Sequence, residues 1–179
     1  MAESTIPYTI EDHQHRFAAW AASRAASFGS CHFKVKQGRA ILEKCGFADL
    51  SFPEQLPEPD HIDDQHRRWR AAIIQASAAH ELSFTHGIAA KLINVYLKSR
   101  FVCGGHHAHE RVRNLHPPID GELLKALAKL NAGGHGKRWC EHPWTQLDSA
   151  QYEQLIGFIR GTLRGEPLWK IEEHWKGNR

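Results

Sequence analysis

The sequence predicts an all-α fold: one helical domain, residues 1–179, of about seven helices. Three observations carry this. Apolar residues recur every three to four positions along most of the 179-residue chain, the period of a helix with one buried stripe. No segment alternates apolar and polar residues with the period of two that a half-buried strand requires. Prolines and glycines cluster between the periodic stretches rather than within them.

The first helix opens at Thr9, with Asp12 three residues on in the manner of a capping box. Its expected core stripe is Phe17, Trp20, Ala21, Ala25 and Phe28. A second helix covers "KQGRAILEKC" and ends at Gly46, a natural terminator. "FADLSFPEQLPEPD" holds three prolines and reads as a loop. A third helix starts at Asp60 or Asp63, with Trp69, Ile73 and Ala76 on its inner face. The fourth, capped by Thr85, is "THGIAAKLINVYLKSRFVC". A histidine-rich loop, "CGGHHAHERVRNLHPP", precedes the fifth helix, "IDGELLKALAKLN", whose inward residues are Leu123, Leu124, Leu127 and Leu130. "AGGHGKRWCEHPWTQLD" leads to a sixth helix over "SAQYEQLIGFIRGTLRG". Pro167 then begins a short last helix, since proline is tolerated at a helix start.

Length and composition bound the class. The chain is 41% hydrophobic and 24% charged, an ordinary globular balance. No apolar run reaches the roughly 20 residues of a membrane span. "MAESTIPYTIEDHQHRF" lacks a charged-then-apolar leader pattern, so a cytoplasmic, monomeric protein is expected. Cys31, Cys45, Cys103 and Cys140 are scattered, which favours reduced thiols. Charge is uneven: Gly87–Arg138 carries nine Lys/Arg against three Asp/Glu, whereas the rest of the chain is net acidic. A basic middle points to an anionic partner, nucleic acid first.

The fourth helix raises the central question. On a wheel of 100° per residue, Gly87, Lys91, Asn94 and Lys98 fall within about 60° of one another, and apolar residues fill nearly everything else. A surface helix has a wide polar face; this one has a narrow slot, which points to a cleft rather than open water. The alternative is that the lysines reach past their stems to solvent. A lysine that loses hydration in a cleft has a lowered pKa and becomes a nucleophile toward a carbonyl carbon or a sugar C1′. Asp120 follows in "LHPPIDGELL", stiffened by two prolines. It is either a helix cap or a rigidly placed carboxylate working with the slot lysine.

"THGIAAKLINVYLK" followed by "HPPID" resembles the helix-hairpin-helix superfamily of DNA glycosylases, most nearly the compact archaeal-type 8-oxoguanine glycosylases. A small anti-phage glycosylase acting on hypermodified cytosine is a second relative the resemblance suggests. The resemblance covers mainly Phe84–Leu127. It implies Lys91 as the group that attacks C1′ of a flipped nucleotide, and Asp120 as the carboxylate that stabilises the charged sugar or activates the nucleophile. It also implies double-stranded DNA with a flipped base as partner, and no cofactor. The pattern departs from the family at the hairpin: Gly87 stands alone and Ala89 occupies the second glycine position.

His86, Gly87, Lys98, Lys137 and Arg138 are the expected DNA contacts, the last two in the glycine-rich "GGHGKRW", where backbone and charge can approach phosphate. His13, Trp20 and Asn94 are candidates for the base pocket, Trp20 because any base offers a face to stack on. Cys103, His106, His107, His109, His116, Cys140 and His142 are zinc-type donors, but their spacing matches no standard finger, and no metal is expected. "RVRNLH", Arg111–His116, also resembles the R-x4-H motif of HEPN ribonucleases, an alternative reading. A non-enzymatic helical DNA-binding module is another.

Overall fold

The computed structural model describes residues 7–29 and 31–177; residues 1–6, which begin the segment read above for a leader, lie outside them. The described residues form helices and loops, with one isolated bridge between Phe28 and Cys31. The principal helices are α1 (Ile10–Ala26), α2 (Val35–Lys44), α3 (Ile62–Ala78), α4 (His86–Leu97), α5 (Glu110–Arg113), α6 (Gly121–Lys129) and α7 (Ser149–Leu163). α4 runs on into wider π-helical turns over Lys98–His106, and a 3-10 segment over Leu168–His174 follows α7. The predicted all-α architecture is therefore the observed one. No described helix is long and apolar enough to cross a membrane.

Local sequence accounts for most boundaries. The Asp12 amide donates to Thr9 Oγ1 at 3.1 Å and the Thr9 amide to Asp12 Oδ2 at 3.0 Å, a complete capping box. Gly46 takes the left-handed conformation that ends the α2 region, φ +79°, which only glycine adopts without strain. The one-turn α5 was not expected; it lies within the histidine-rich loop.

α4 is the axis of the molecule. One hydrophobic cluster unites α1, α2, Phe47, Leu56 and α3 with Ile88, Ala89, Leu92, Ile93, Tyr96 and Leu97 of α4. The second gathers Ile119, α6, Trp139, Leu147, α7, Leu168 and Ile171, and it includes Ala90 of α4. α4 is thus buried on nearly every side, which explains why its sequence is apolar almost all round.

Two expected faces are corrected. Phe17, Trp20 and Phe28 are not core: they are 57%, 51% and 61% exposed. α1 instead buries Ala18, Ala19, Ala22, Ser23 and Ala26, which on the wheel lie opposite the aromatic stripe. Small side chains let α1 approach the bulky side chains of α4 closely, and close packing prevails over the larger residues' apolar area. Leu130 is likewise exposed, because α6 ends at Lys129 and its inward leucines are Leu123, Leu124 and Leu127. Trp69 of the expected α3 face is only partly buried; His66 and Arg70 are fully inside.

The start of α4 is clamped by the loop before α7. Thr85 Oγ1 accepts from the Ile88 amide at 3.2 Å and donates to the Thr145 carbonyl at 2.8 Å. The Gly87 amide donates to the Leu147 carbonyl at 3.2 Å. A Cβ on Gly87 would sit 1.8 Å from the Trp144 carbonyl oxygen, so only glycine permits this approach. Gly87→Ala is therefore expected to lower stability by about 1–3 kcal/mol or more, as overpacking does, read as a lower urea midpoint at unchanged m-value. Trp20→Ser, on the exposed stripe, should stay within about 0.5 kcal/mol of wild type.

Candidate functional site

Lys91 and Asp120 meet. Lys91 projects from the middle of α4 and is buried; Asp120 is the N-cap of α6 and partly buried. Lys91 Nζ donates to Asp120 Oδ2 at 2.9 Å. Asp120 Oδ1 accepts from the Leu123 amide at 2.9 Å, and Oδ2 accepts a second bond from Trp175 Nε1 at 3.0 Å. The carboxylate is at once a helix cap, the partner of a buried ammonium and the acceptor of an indole. Trp144 stands on the other side, its ring centroid 5.8 Å from Lys91 Nζ, within cation–π range.

Burial pushes the Lys91 ammonium below its ordinary value, and Asp120 and Glu172 only partly restore it. Burial alone would raise the Asp120 carboxyl, but Lys91, the Leu123 amide and Trp175 outweigh it and hold Asp120 below its usual value. The pair is an ion pair at neutral pH with a lysine readier than usual to release its proton.

Lys98, one heptad on, has its own carboxylate. It pairs with Glu172 of the Leu168–His174 segment. Burial raises the Glu172 carboxyl against the pull of Lys98 and Lys91, and Asp120 raises it further. Sequence reasoning missed Glu172 and Trp175, although a single short segment supplies both. His174 of the same segment, with Lys176, lines a recess of about 190 Å³ together with Glu122, Lys125, Ala126 and Lys129.

Asn94, the third polar residue of the slot, leads into a buried network rather than a base pocket. His66 Nε2 donates to Asn94 Oδ1 at 2.7 Å. Asn94 Nδ2 donates to the Pro117 carbonyl at 2.9 Å and to the Tyr152 hydroxyl oxygen at 3.0 Å. The Tyr152 hydroxyl donates to His116 Nδ1 at 3.0 Å, and His116 Nε2 donates to Asp63 Oδ1 at 2.8 Å. Arg160 completes the chain with two bonds to Asp63, at 2.6 and 2.7 Å. The sequence of donors assigns both histidines as neutral Nε2–H tautomers. Burial holds both imidazoles below their ordinary value. His116 and Arg160 hold the Asp63 carboxyl well below the usual carboxylate range.

The remaining expected residues are dispersed. Gly87 has its amide occupied by Leu147 and its Cα covered by Trp144; it is closed to a phosphate. His86 is partly buried at the start of α4, and burial, then Arg70, lowers its pKa. Lys98 is engaged by Glu172. Lys137 and Arg138 are exposed, with Arg138 4.6 Å from the Phe158 ring centroid. His13 and Trp20 lie on the exposed face of α1, away from buried Asn94, so these three do not form one pocket. Arg111 is tied to the Glu54 and Leu56 carbonyls and to Glu58, whereas His116 faces Asp63 and Tyr152; the R-x4-H pair is not assembled. Among the described residues, no three His, Cys, Asp or Glu side chains gather as a metal site.

Two outcomes follow from this geometry. Asp120→Asn keeps a good cap but leaves Lys91 buried without its counter-charge. It should cost about 3 kcal/mol, most of it recovered in Lys91→Met/Asp120→Asn, as measured by denaturant unfolding. The second concerns pH. A histidine held neutral by burial binds its proton more readily when unfolded, so stability is full above about pH 6.5 and falls as pH drops below it. Asp63 and Glu153, the latter lowered to about 2 by Arg67 first and by Ser149 and Arg70, add a second loss below about pH 4. Urea midpoints from pH 8 to 3 should show both steps.

No family model, curated protein or solved structure matches the chain.

Proposed function

We propose that the chain is a DNA glycosylase that excises a damaged or modified base from an extruded nucleotide, with Lys91 and Asp120 as its catalytic pair. The observation that carries this reading is the buried ammonium–carboxylate contact itself, 2.9 Å long and flanked by Trp144 and Trp175. The resemblance of "THGIAAKLINVYLK" and "HPPID" to the helix-hairpin-helix glycosylases supports the same assignment.

The chemistry balances with water as the proton carrier. Lys91 Nζ releases a proton to water, leaving Asp120 ionised, and the free amine attacks C1′ of the nucleotide. The bond from C1′ to the base breaks, and the base leaves with the bonding electrons and gains a proton from water. Positive charge grows on the sugar as the bond lengthens, and a carboxylate fixed beside it lowers the barrier without reorganising. The attached nitrogen then loses a proton to water, its lone pair forms C1′=Nζ as the C1′–O4′ bond breaks, and O4′ takes up a proton; the resulting Schiff base is the route to strand cleavage. If Lys91 serves only to hold Asp120, the carboxylate takes a proton from water instead, and an abasic site is the final product. A reaction on a base requires it to leave the stack, and the basic middle of the chain, with Lys137 and Arg138 exposed, supplies phosphate contacts.

The test is abasic-site formation on DNA carrying uracil, 8-oxoguanine, alkylated bases, or hydroxymethylated and glucosylated cytosine. Wild type should release one of these bases. Asp120→Asn, in protein that keeps its helical circular dichroism, should lose at least about 100-fold in rate while still binding DNA. Lys91→Ala should abolish borohydride trapping. Silence across the panel, with RNA cleavage lost in His116→Ala or with DNA binding alone, would replace this reading with a ribonuclease or a binding module.

A further inference from the structure

We infer that the outer face of α1 and the turn after it bind an unpaired DNA strand, whose bases stack on Phe17, Trp20 and Phe28. The inference rests on the reading that the chain acts on DNA, and it names the form of DNA. More than half of each of these side chains is exposed. The Phe17 and Trp20 rings lie 5.9 Å apart, and Phe28 lies 6.1 Å from Trp144. Trp144 in turn borders Lys91, so the Phe28 end of the surface adjoins the Lys91–Asp120 pair.

The exposure is not a face awaiting the rest of the fold. α1 already buries its alanine face, and Phe17 and Trp20 lie on the opposite side with His13 and Arg24, within about 60° of one another on the wheel; Phe28 stands in the turn beyond the helix. Charge then identifies the occupant. From His13 to Leu42 there is no Asp or Glu, against five Lys/Arg and three histidines. Arg16 stacks over Tyr8 and Arg39 pairs with Glu43. Arg24, Lys34 and Lys36 are exposed and take part in no ion pair among the described residues.

Exposed aromatic faces that share their side of α1 with an unpaired Arg24, in a stretch of chain with no carboxylate, match a nucleic acid strand: stacking engages bases and cations track phosphates. A duplex offers the phosphates but hides the faces of its bases. The core of a protein-binding patch is depleted of charge, and a second copy of this surface would bring like charges together, which disfavours association.

The experiment measures binding of labelled dT30 and of a 30-base-pair duplex by anisotropy, without any base release. Wild type should prefer dT30 and show quenching of Trp20 emission. Phe17→Ala/Trp20→Ala, both on exposed positions, should keep the fold by circular dichroism and weaken dT30 at least about ten-fold. Trp20→Phe should retain most of the affinity. Arg24→Ala should reduce the salt slope for dT30 by about 0.7. Unchanged dT30 binding in the double variant overturns the proposal, as does a wild-type dimer that the double variant dissolves, which would make the stripe a self-association face. Aromatic-dependent dT30 binding with no base released from any substrate would leave the surface standing and remove only the glycosylase reading. Base excision at the wild-type rate by a double variant with unchanged binding would do the reverse.

Discussion

A helix enclosed on nearly every side has no water to satisfy its polar groups, and that constraint on α4 organises the molecule. Every polar element of its slot is answered by a later part of the chain, and Asn94 by His66 of α3 as well. Gly87 receives the loop backbone at Trp144–Leu147, Lys91 receives Asp120, Asn94 receives Pro117 and Tyr152, and Lys98 receives Glu172. Apolar packing alone would allow the α6–α7 half to slide along α4. Four polar contacts at fixed heights on one stripe set its register, because a slip would leave buried donors unpaired, the costlier error.

The charge of that stripe could only be balanced from a distance. No Asp or Glu occurs between Leu82 and His109, so neither lysine has an acidic neighbour on its own helix. Asp120 was legible in the sequence, because two prolines and a helix start fix its position. Glu172 was not. In "KIEEHW" two adjacent glutamates look equally solvated, yet Glu172 faces Lys98 while the Glu173 side chain is 70% exposed. What separates them is the path of the chain around α4, which no local pattern encodes.

The same distinction explains the other gains and losses. Capping boxes, terminating glycines and the slot of α4 are local chemistry, and they were readable residue by residue. The orientation of α1 was not, because its two faces compete. The aromatic side carries more apolar area; the alanine side fits the surface that α4 presents. His66 and Arg70 on the inner face of α3 were missed for a related reason. They are polar where a stripe predicts apolar, and their burial depends on Asn94, Tyr152 and Glu153 arriving from elsewhere.

Asp120 concentrates the tension between holding the fold and the chemistry proposed for it. One oxygen caps α6, and the other carries both Lys91 and Trp175. A carboxylate so fully engaged has little freedom left to meet a substrate. Under the proposed glycosylase reading, catalysis requires an exchange, in which a growing positive charge on a sugar takes over from one of these donors. Trp175 is the donor placed to yield. It is neutral and 46% exposed, whereas Lys91 is a buried charge in the middle of α4. Removing the indole leaves the cap and the ion pair intact and turns one lone pair of Oδ2 outward. The structure thus keeps the stabilising contacts on the inner side of the carboxylate and a replaceable one on the outer side. If the proposed chemistry is to occur at a residue that also anchors a helix, it needs that arrangement.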